Sequence, residues 1–208
     1  MRDRFTELDY GLSLLSSMYH QDWRSSGDWT AILEIFLWEE QAPPAVLALY
    51  EDVAAFGRLP RAEIEDVWTA STDNNFIFGR DADSGDEWLS AIQEHCRMWL
   101  VARGVSTLPA GFPVLERAPA EAVGAQIGSL IGWRDVDGRL IRVLAALKRF
   151  AETLSPDLAF RLLLRIVDAR RMEISSQLYH ELALLGRSLN CGEFVVSSLE
   201  YLVSDANG

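Results

Sequence analysis

Five consecutive residues, Tyr19-His20-Gln21-Asp22-Trp23, place an imidazole, an amide, a carboxylate and an indole side by side at the end of an apolar helical pattern. A histidine beside a carboxylate is a pairing that general acid–base catalysis can use. The same residue types also serve folding. Asp22 can cap a turn by accepting from free backbone N–H groups, Gln21 can bridge helix ends, and Trp23 can pack in a core. We favour the structural role for this motif over catalysis and over contact with a partner.

No other residue pattern predicts catalysis or metal binding. The three histidines, His20, His95 and His180, are far apart, and none has a second ligand three or four positions away. His95 and Cys96 are adjacent, so on a helix their side chains point in different directions. Nucleophile motifs, phosphate loops and dinucleotide-binding glycine motifs are absent. We therefore predict that the protein is not an enzyme and has no catalytic residue, no metal and no cofactor.

Charged pairs in the sequence are interpreted as solvated faces. Glu39-Glu40 and Asp81-x-Asp83 are paired carboxylates, but nothing marks an apolar pocket that would raise the pKa of either pair. Arginines recur on the helices of the second half. Some can stabilise the C-terminal ends of helices, and others can pair with acidic groups of the first half. We favour these roles over nucleic-acid binding, which needs a net basic face. These cations are Arg139, Arg142, Lys148, Arg149, Arg161, Arg165, Arg170 and Arg171.

Composition and charge bound the class of protein. The chain of 208 residues is 49% hydrophobic and 24% charged, which is typical of a globular protein. No apolar run approaches the roughly 18 residues that span a bilayer, and the N-terminus has no secretory pattern, so we expect a cytoplasmic protein. Residues 1–104 carry 19 acidic and 8 basic side chains, whereas residues 105–208 carry 12 and 11. The acidic first half disfavours direct nucleic-acid binding and favours a basic partner.

Apolar spacing predicts an all-α fold made of two helical bundles. The two bundles could pack together as one body. Phe5, Leu8, Leu12, Leu15 and Tyr19 share one face of a helix expected from about Thr6 to Tyr19. Four further helix starts are marked by Asp28, Pro43, Pro60 and the capping box Ser84-Gly85-Asp86-Glu87.

Three segments follow from the pattern: a helical domain over 1–104, a linker or surface loop over 105–119 and a second bundle over 120–208. Helices of the second bundle are expected over about 120–131, 137–153, 157–169, 173–187 and 192–203.

Residues 5–100 resemble the helical immunity proteins of bacterial contact-dependent growth inhibition and related polymorphic-toxin systems. The resemblance rests on four features in order: the motif at 19–23, the segment Phe36-Leu37-Trp38-Glu39-Glu40, a proline-started helix running to Gly57, and a polar loop leading to Asp86-Glu87-Trp88-Leu89-Ser90-Ala91-Ile92. The resemblance covers about half the chain, and residues 105–208 lie outside it.

The resemblance implies a cytoplasmic protein that binds a cognate toxin domain and blocks it without catalysis. The charge of the first half fits a basic nuclease as that toxin. Exposed acidic and polar positions, with one indole, form the candidate toxin-binding surface: Trp38, Glu39, Glu40, Asp73, Asn74, Asn75, Asp81 and Asp83. The alternative is a helical adaptor or regulatory module whose second half binds a different partner.

Overall fold

The computed structural model describes residues 6–105, 116–131 and 137–204, which form ten α-helices and two 3-10 helices, with no β-strand in these ranges. The all-α prediction is confirmed. Backbone contacts divide the chain into two compact units. We call Tyr10–Val114 the N-terminal unit, and Met1–Asp9 together with Leu115–Gly208 the C-terminal unit. No helix among the described residues is both long and apolar enough to cross a membrane.

The N-terminal unit packs its helices around the third helix in chain order. Its helices are α1 (Gly11–Ser17), α2 (Trp29–Phe36), α3 (Pro43–Phe56), α4 (Arg61–Ser71) and α5 (Gly85–Ala102), with a 3-10 helix at Trp23–Ser26. α3 packs against α1 and α5, and α5 also contacts α4. The apolar stripe predicted for α5 is buried as expected, including Trp88, Ile92 and Leu100.

The C-terminal unit packs α6 (Arg117–Leu130) against α7 (Gly138–Thr153) and α8 (Pro156–Ala169), followed by α9 (Ser176–Ser188), α10 (Glu193–Ser197) and a 3-10 helix at Glu200–Leu202. Gly124 lets α6 approach α7 closely, because a Cβ there would lie 2.6 Å from Glu152 Oε1. Residues 106–115 of the expected linker lie outside the described residues, and Arg117, Ala118 and Pro119 already belong to α6.

Predicted helix starts are confirmed where a side chain caps the helix. Asp28 Oδ1 accepts from Thr30 N at 2.9 Å and starts α2. Ser84 Oγ accepts from Glu87 N at 3.3 Å and starts α5. These bonds satisfy N–H groups that have no partner within the helix. Short-range capping chemistry therefore places these elements correctly.

The first helix is shorter than predicted: α1 begins at Gly11, whereas the apolar pattern predicts a start near Thr6. Gly11 has a φ of +62°, and a Cβ at this position would lie 2.1 Å from Asp52 Oδ2. That carboxylate accepts from Leu12 N at 2.9 Å in a buried site, so it satisfies the start of α1 from α3. Leu8, expected on the core face, is exposed.

Residues 6–9 belong to the C-terminal unit, although the sequence pattern assigns them to the first domain. Phe194 N donates to the Glu7 carbonyl oxygen at 3.0 Å. A Cβ at Gly192 would lie 2.3 Å from the same oxygen, so the two backbones meet where a side chain would not fit. Along the chain, the sequence of the N-terminal unit therefore interrupts that of the C-terminal unit.

Candidate protein-binding surface

The motif at 19–23 divides into buried aromatic rings and exposed polar groups. Tyr19 and Trp23 are buried, whereas His20, Gln21 and Asp22 are exposed. The Tyr19 hydroxyl donates to the Trp29 carbonyl oxygen at 3.3 Å, and burial, with a smaller contribution from Asp28, raises the pKa of Tyr19. Tyr19 therefore acts as a neutral core residue.

Aromatic rings surround Tyr19 on several sides. Its ring centroid lies 5.1 Å from that of Trp23 and 5.0 Å from that of Phe76, both in edge-to-face geometry. Such pairs add to the stability that burial alone provides. The cluster consists of Tyr19, Trp23, Trp68, Phe76, Phe78 and Trp88.

The polar part of the motif is arranged locally. Asp22 N donates to His20 Nδ1 at 3.2 Å, so this ring nitrogen accepts from the backbone. Asp22 holds the cap position of the 3-10 helix, but its side chain makes no capping hydrogen bond there. The expected cap is therefore wrong, and the structural contribution of the motif comes from its aromatic residues.

The loop over residues 72–84, which we call the Asp81 loop, is held by Trp23, the last residue of the motif, and by Arg24, which follows it. Trp23 Nε1 donates to the Asn75 carbonyl oxygen at 2.9 Å, and Arg24 donates to the same oxygen. Arg24 Nη2 and Arg80 Nη2 donate to Asp81 Oδ2 at 2.9 and 2.8 Å. Ile77 N donates to that oxygen at 2.7 Å.

Asp81 was expected on an exposed contact surface, and the structure corrects this. Its side chain is only 5% exposed because two guanidinium groups cover it. Burial raises the pKa of the Asp81 carboxyl, but hydrogen bonds from Arg80, Arg24 and Ile77 N outweigh burial and leave the pKa below its usual range. Asp81 therefore stabilises the loop by binding Arg24, Arg80 and Ile77 N. Sequence reasoning missed Arg24 because its partner lies 57 residues away.

The remaining candidates of the Asp81 loop differ in exposure. Asp73 and Asn74 adopt left-handed backbone angles, with φ of 50° and 59°, and Asn74 N donates to the Thr69 carbonyl oxygen as α4 ends. Asp73 and Asp83 are exposed, whereas Asn74 and Asn75 are partly buried. Of the five expected contact residues that lie in this loop, two are therefore exposed.

The loop over residues 37–42, which we call the Trp38 loop, is held from the last turns of α5. Trp99 Nε1 donates to the Leu37 carbonyl oxygen at 2.8 Å, and Arg103 Nη2 donates to the Glu39 carbonyl oxygen at 2.8 Å. The Arg103 guanidinium lies 3.7 Å from the centroid of the Trp99 ring, a cation–π geometry.

Between those two fixed carbonyl groups, the Trp38 side chain is 52% exposed, as an interface role requires, and Glu39 and Glu40 are exposed beside it. Neither Trp99 nor Arg103 was a candidate from the sequence. No local signal could have identified them, because their partners lie 62 and 64 residues away.

The candidate residues do not form one patch. The Asp81 loop leads into the start of α5 at Ser84, whereas the Trp38 loop contacts Trp99 near the end of that helix. At 1.5 Å per residue, Ser84 and Trp99 are separated by about 22 Å along the helix axis. The structure therefore presents two alternative surfaces.

Acidic charge is concentrated in the N-terminal unit. Tyr10–Val114 contains sixteen acidic side chains and six arginines, a net charge of −10 of the chain's −12. Ion pairs within the unit join Arg24 and Arg80 to Asp81, Arg61 to Glu65, and Arg97 to Glu94. Acidic side chains therefore outnumber the unit's own cations by ten.

Several cations of the C-terminal unit pair with acidic side chains of the same helix. Arg161, whose side chain is fully buried, lies 3.0 Å from Asp157, and Arg165 lies 2.9 Å from Asp168. No group of three or more His, Cys, Asp or Glu side chains among the described residues is arranged to hold a metal ion.

Comparison of the chain with protein-family models, curated proteins and solved structures gives no match. The function proposed below therefore rests on the resemblance of residues 5–100 to helical immunity proteins, together with the geometry of the described residues.

Proposed function

We propose that the chain is a non-catalytic immunity protein that binds a cognate bacterial toxin domain in the cytoplasm and covers its active site. The Trp38 loop is the observation that supports this best. It holds an exposed indole, followed directly by the exposed Glu39 and Glu40, on a backbone fixed by Trp99 and Arg103. An aromatic anchor on a preorganised backbone is typical of the centre of a protein interface.

The charge of the N-terminal unit supports a basic partner. A net charge of −10 on one compact unit produces a field that attracts a positively charged surface and raises the association rate. A nuclease toxin has such a surface, because its substrate carries one negative charge per phosphate. The same field repels nucleic acid, so the protein would compete for the toxin without binding the substrate.

Co-expression with the toxin tests this proposal. The proposal predicts that the gene immediately upstream encodes a large secreted toxin, and absence of such a gene would count against it. The probe is the C-terminal domain of that toxin, and the readout is survival of cells that express it with the full chain. We expect protection, and binding of the purified pair that weakens as salt rises. Failure to protect cells would contradict immunity and favour the adaptor alternative, and salt-insensitive binding would exclude a basic groove as the target.

A matched variant separates binding from catalysis. His20 is exposed and accepts a local hydrogen bond from Asp22 N, so His20→Ala should fold normally. If the protein acts by binding alone, the His20→Ala variant should protect cells as well as the wild-type chain does. Loss of protection together with unchanged toxin binding in a folded His20→Ala variant would instead indicate chemistry at the motif.

A further inference from the structure

We infer that the Trp38 loop, and not the Asp81 loop, is the centre of the toxin-binding surface, and that it fits an apolar pocket rimmed by arginine or lysine. This inference rests on the proposed function and specifies its contact site.

Exposed apolar side chains are concentrated at one end of the N-terminal unit. Its described residues expose five large apolar side chains, and four of them lie where α2 and α5 end: Ile35, Trp38, Met98 and Val101. The fifth, Ile77, lies in the Asp81 loop. An accumulation of exposed apolar groups is a mark of an interaction site in a protein whose core is otherwise well covered.

Hydrogen bonds also hold the backbone of the Trp38 loop in place at this end of the N-terminal unit. The carbonyl groups of Leu37 and Glu39, on either side of Trp38, are bound by Trp99 of α5 and by Arg103, the residue after that helix. Gln41 Nε2 donates to the Phe36 carbonyl oxygen at 3.2 Å and closes the turn from within. A partner would therefore order mainly one indole side chain on binding, and the entropic cost of association is small.

The acidic groups beside the indole define the chemistry of the partner. Glu34, Glu39 and Glu40 are all exposed around the end of α2. A pocket for Trp38 that is rimmed by cations would meet these carboxylates as the indole enters. Apolar burial then provides affinity at the centre, and charge pairing at the rim provides rate and orientation.

The Asp81 loop lacks this combination. Its central carboxylate is already bound by Arg24, Arg80 and Ile77 N, and those bonds would have to break for Asp81 to reach a partner. Asp73 and Asp83 are exposed in this loop, and they contribute charge without an indole anchor. The loop adds to the acidic field but does not supply a comparable contact centre.

Arg103 is a positioning residue for this surface. Its guanidinium stacks on Trp99 and donates to the Glu39 carbonyl oxygen, so it fixes the backbone beside the anchor. Arg103→Met should leave the Trp38 side chain present but loosen the loop. A purely structural role would lower stability without changing affinity, whereas a positioning role should accelerate dissociation in the folded variant.

Binding kinetics of the full chain with the upstream toxin domain test the inference. Trp38→Ala should weaken binding by about 30-fold or more, mainly through faster dissociation. Glu39→Gln with Glu40→Gln should slow association and reduce its salt dependence. The matched control is Ile77→Ala, an exposed apolar truncation at the other end of α5, which should change affinity less than threefold. Circular dichroism confirms that each variant is folded, which is expected because these side chains are exposed.

The outcomes separate the two proposals. If the wild-type chain binds and protects but Trp38→Ala binds within threefold of it, the contact site is wrong and the immunity function stands. The same holds if Ile77→Ala has the larger effect. If the wild-type chain neither binds nor protects, the immunity function fails and the inferred contact site fails with it.

Discussion

The Trp23 indole donates from Nε1 to the Asn75 carbonyl oxygen at 2.9 Å, across 52 residues of sequence. This bond joins the 3-10 helix after α1 to the loop between α4 and α5. The same oxygen also accepts from Arg24 and Arg80. The motif therefore holds two distant segments together, and its indole contributes both a ring to the aromatic cluster and a donor to this junction.

Replacing Trp23 should separate these two contributions. Trp23→Phe keeps an aromatic ring but removes the donor, and we expect a loss of about 1–2 kcal/mol in the free energy of unfolding. Trp23→Ala also leaves a cavity and should cost about 3–5 kcal/mol. Urea unfolding measures both. Trp38→Phe is the control, because that exposed ring should change stability by less than about 0.5 kcal/mol. Equal effects of the Phe and Ala variants would contradict this interpretation.

Asp81 should make stability depend on pH in the acidic range. Its pKa in the folded protein lies below the usual value, so its ionised form stabilises the fold above the unfolded pKa of about 4. That contribution is lost as the pH falls through the lower folded pKa. Asp81→Asn should cost about 1–3 kcal/mol at pH 7, and the difference from wild type should shrink below about pH 4.

Asp83 provides the control for this experiment, because it is an exposed aspartate in the same loop. Asp83→Asn should unfold at nearly the same urea concentration as wild type. A constant difference between wild type and Asp81→Asn from pH 7 to pH 2 would rule out the charge of Asp81 as the cause.

The two cysteines should differ in reactivity. Cys96 is fully buried in α5, and burial raises the pKa of its thiol to about 12, whereas Cys191 is partly exposed. In the native protein at pH 8, a thiol reagent should modify Cys191 first and reach Cys96 only on unfolding. A Cys191→Ser variant isolates Cys96, and rapid labelling of that folded variant would contradict its burial. Because the folded pKa is raised, stability should fall as the pH rises from about 9 towards 12.

Gly192 should be required for the contact between residues 6–9 and α10. Its φ of −58° suits any residue, so an added Cβ is unfavourable because of the Glu7 backbone 2.3 Å away. Gly192→Ala should cost about 1–3 kcal/mol and abolish hydrogen-exchange protection of the Phe194 amide. Gly138→Ala is the control, since nothing lies within 4 Å of its Cβ position. Retained protection of Phe194 in the Gly192 variant would disprove this packing.

Features set by neighbouring residues could be predicted from the sequence. The start of α5 follows from Ser84 and Glu87, which are three residues apart, and the start of α2 follows from Asp28 in the same way. The apolar stripe of α5 likewise identifies its buried face. Capping and periodicity act over one or two turns, so sequence alone contains the relevant information.

Features set by distant residues could not be predicted. The start of α1 depends on Asp52, which lies 40 residues from Leu12, and the burial of Asp81 depends on Arg24. Spacing alone placed Leu8 on the face of a helix that does not extend so far. Trp38 is exposed as predicted and the Asp81 side chain is not, because tertiary contacts decide which polar groups are already bound.

The insertion of the N-terminal unit has a consequence for synthesis on the ribosome. Residues 6–9 are translated before the N-terminal unit, but their partner Phe194 is translated about 80 residues after that unit ends at Val114. At about 5–20 residues per second, roughly 4–16 s pass before this contact can form. The unit proposed to bind the toxin is therefore complete while the other unit still lacks the chain segment that closes it.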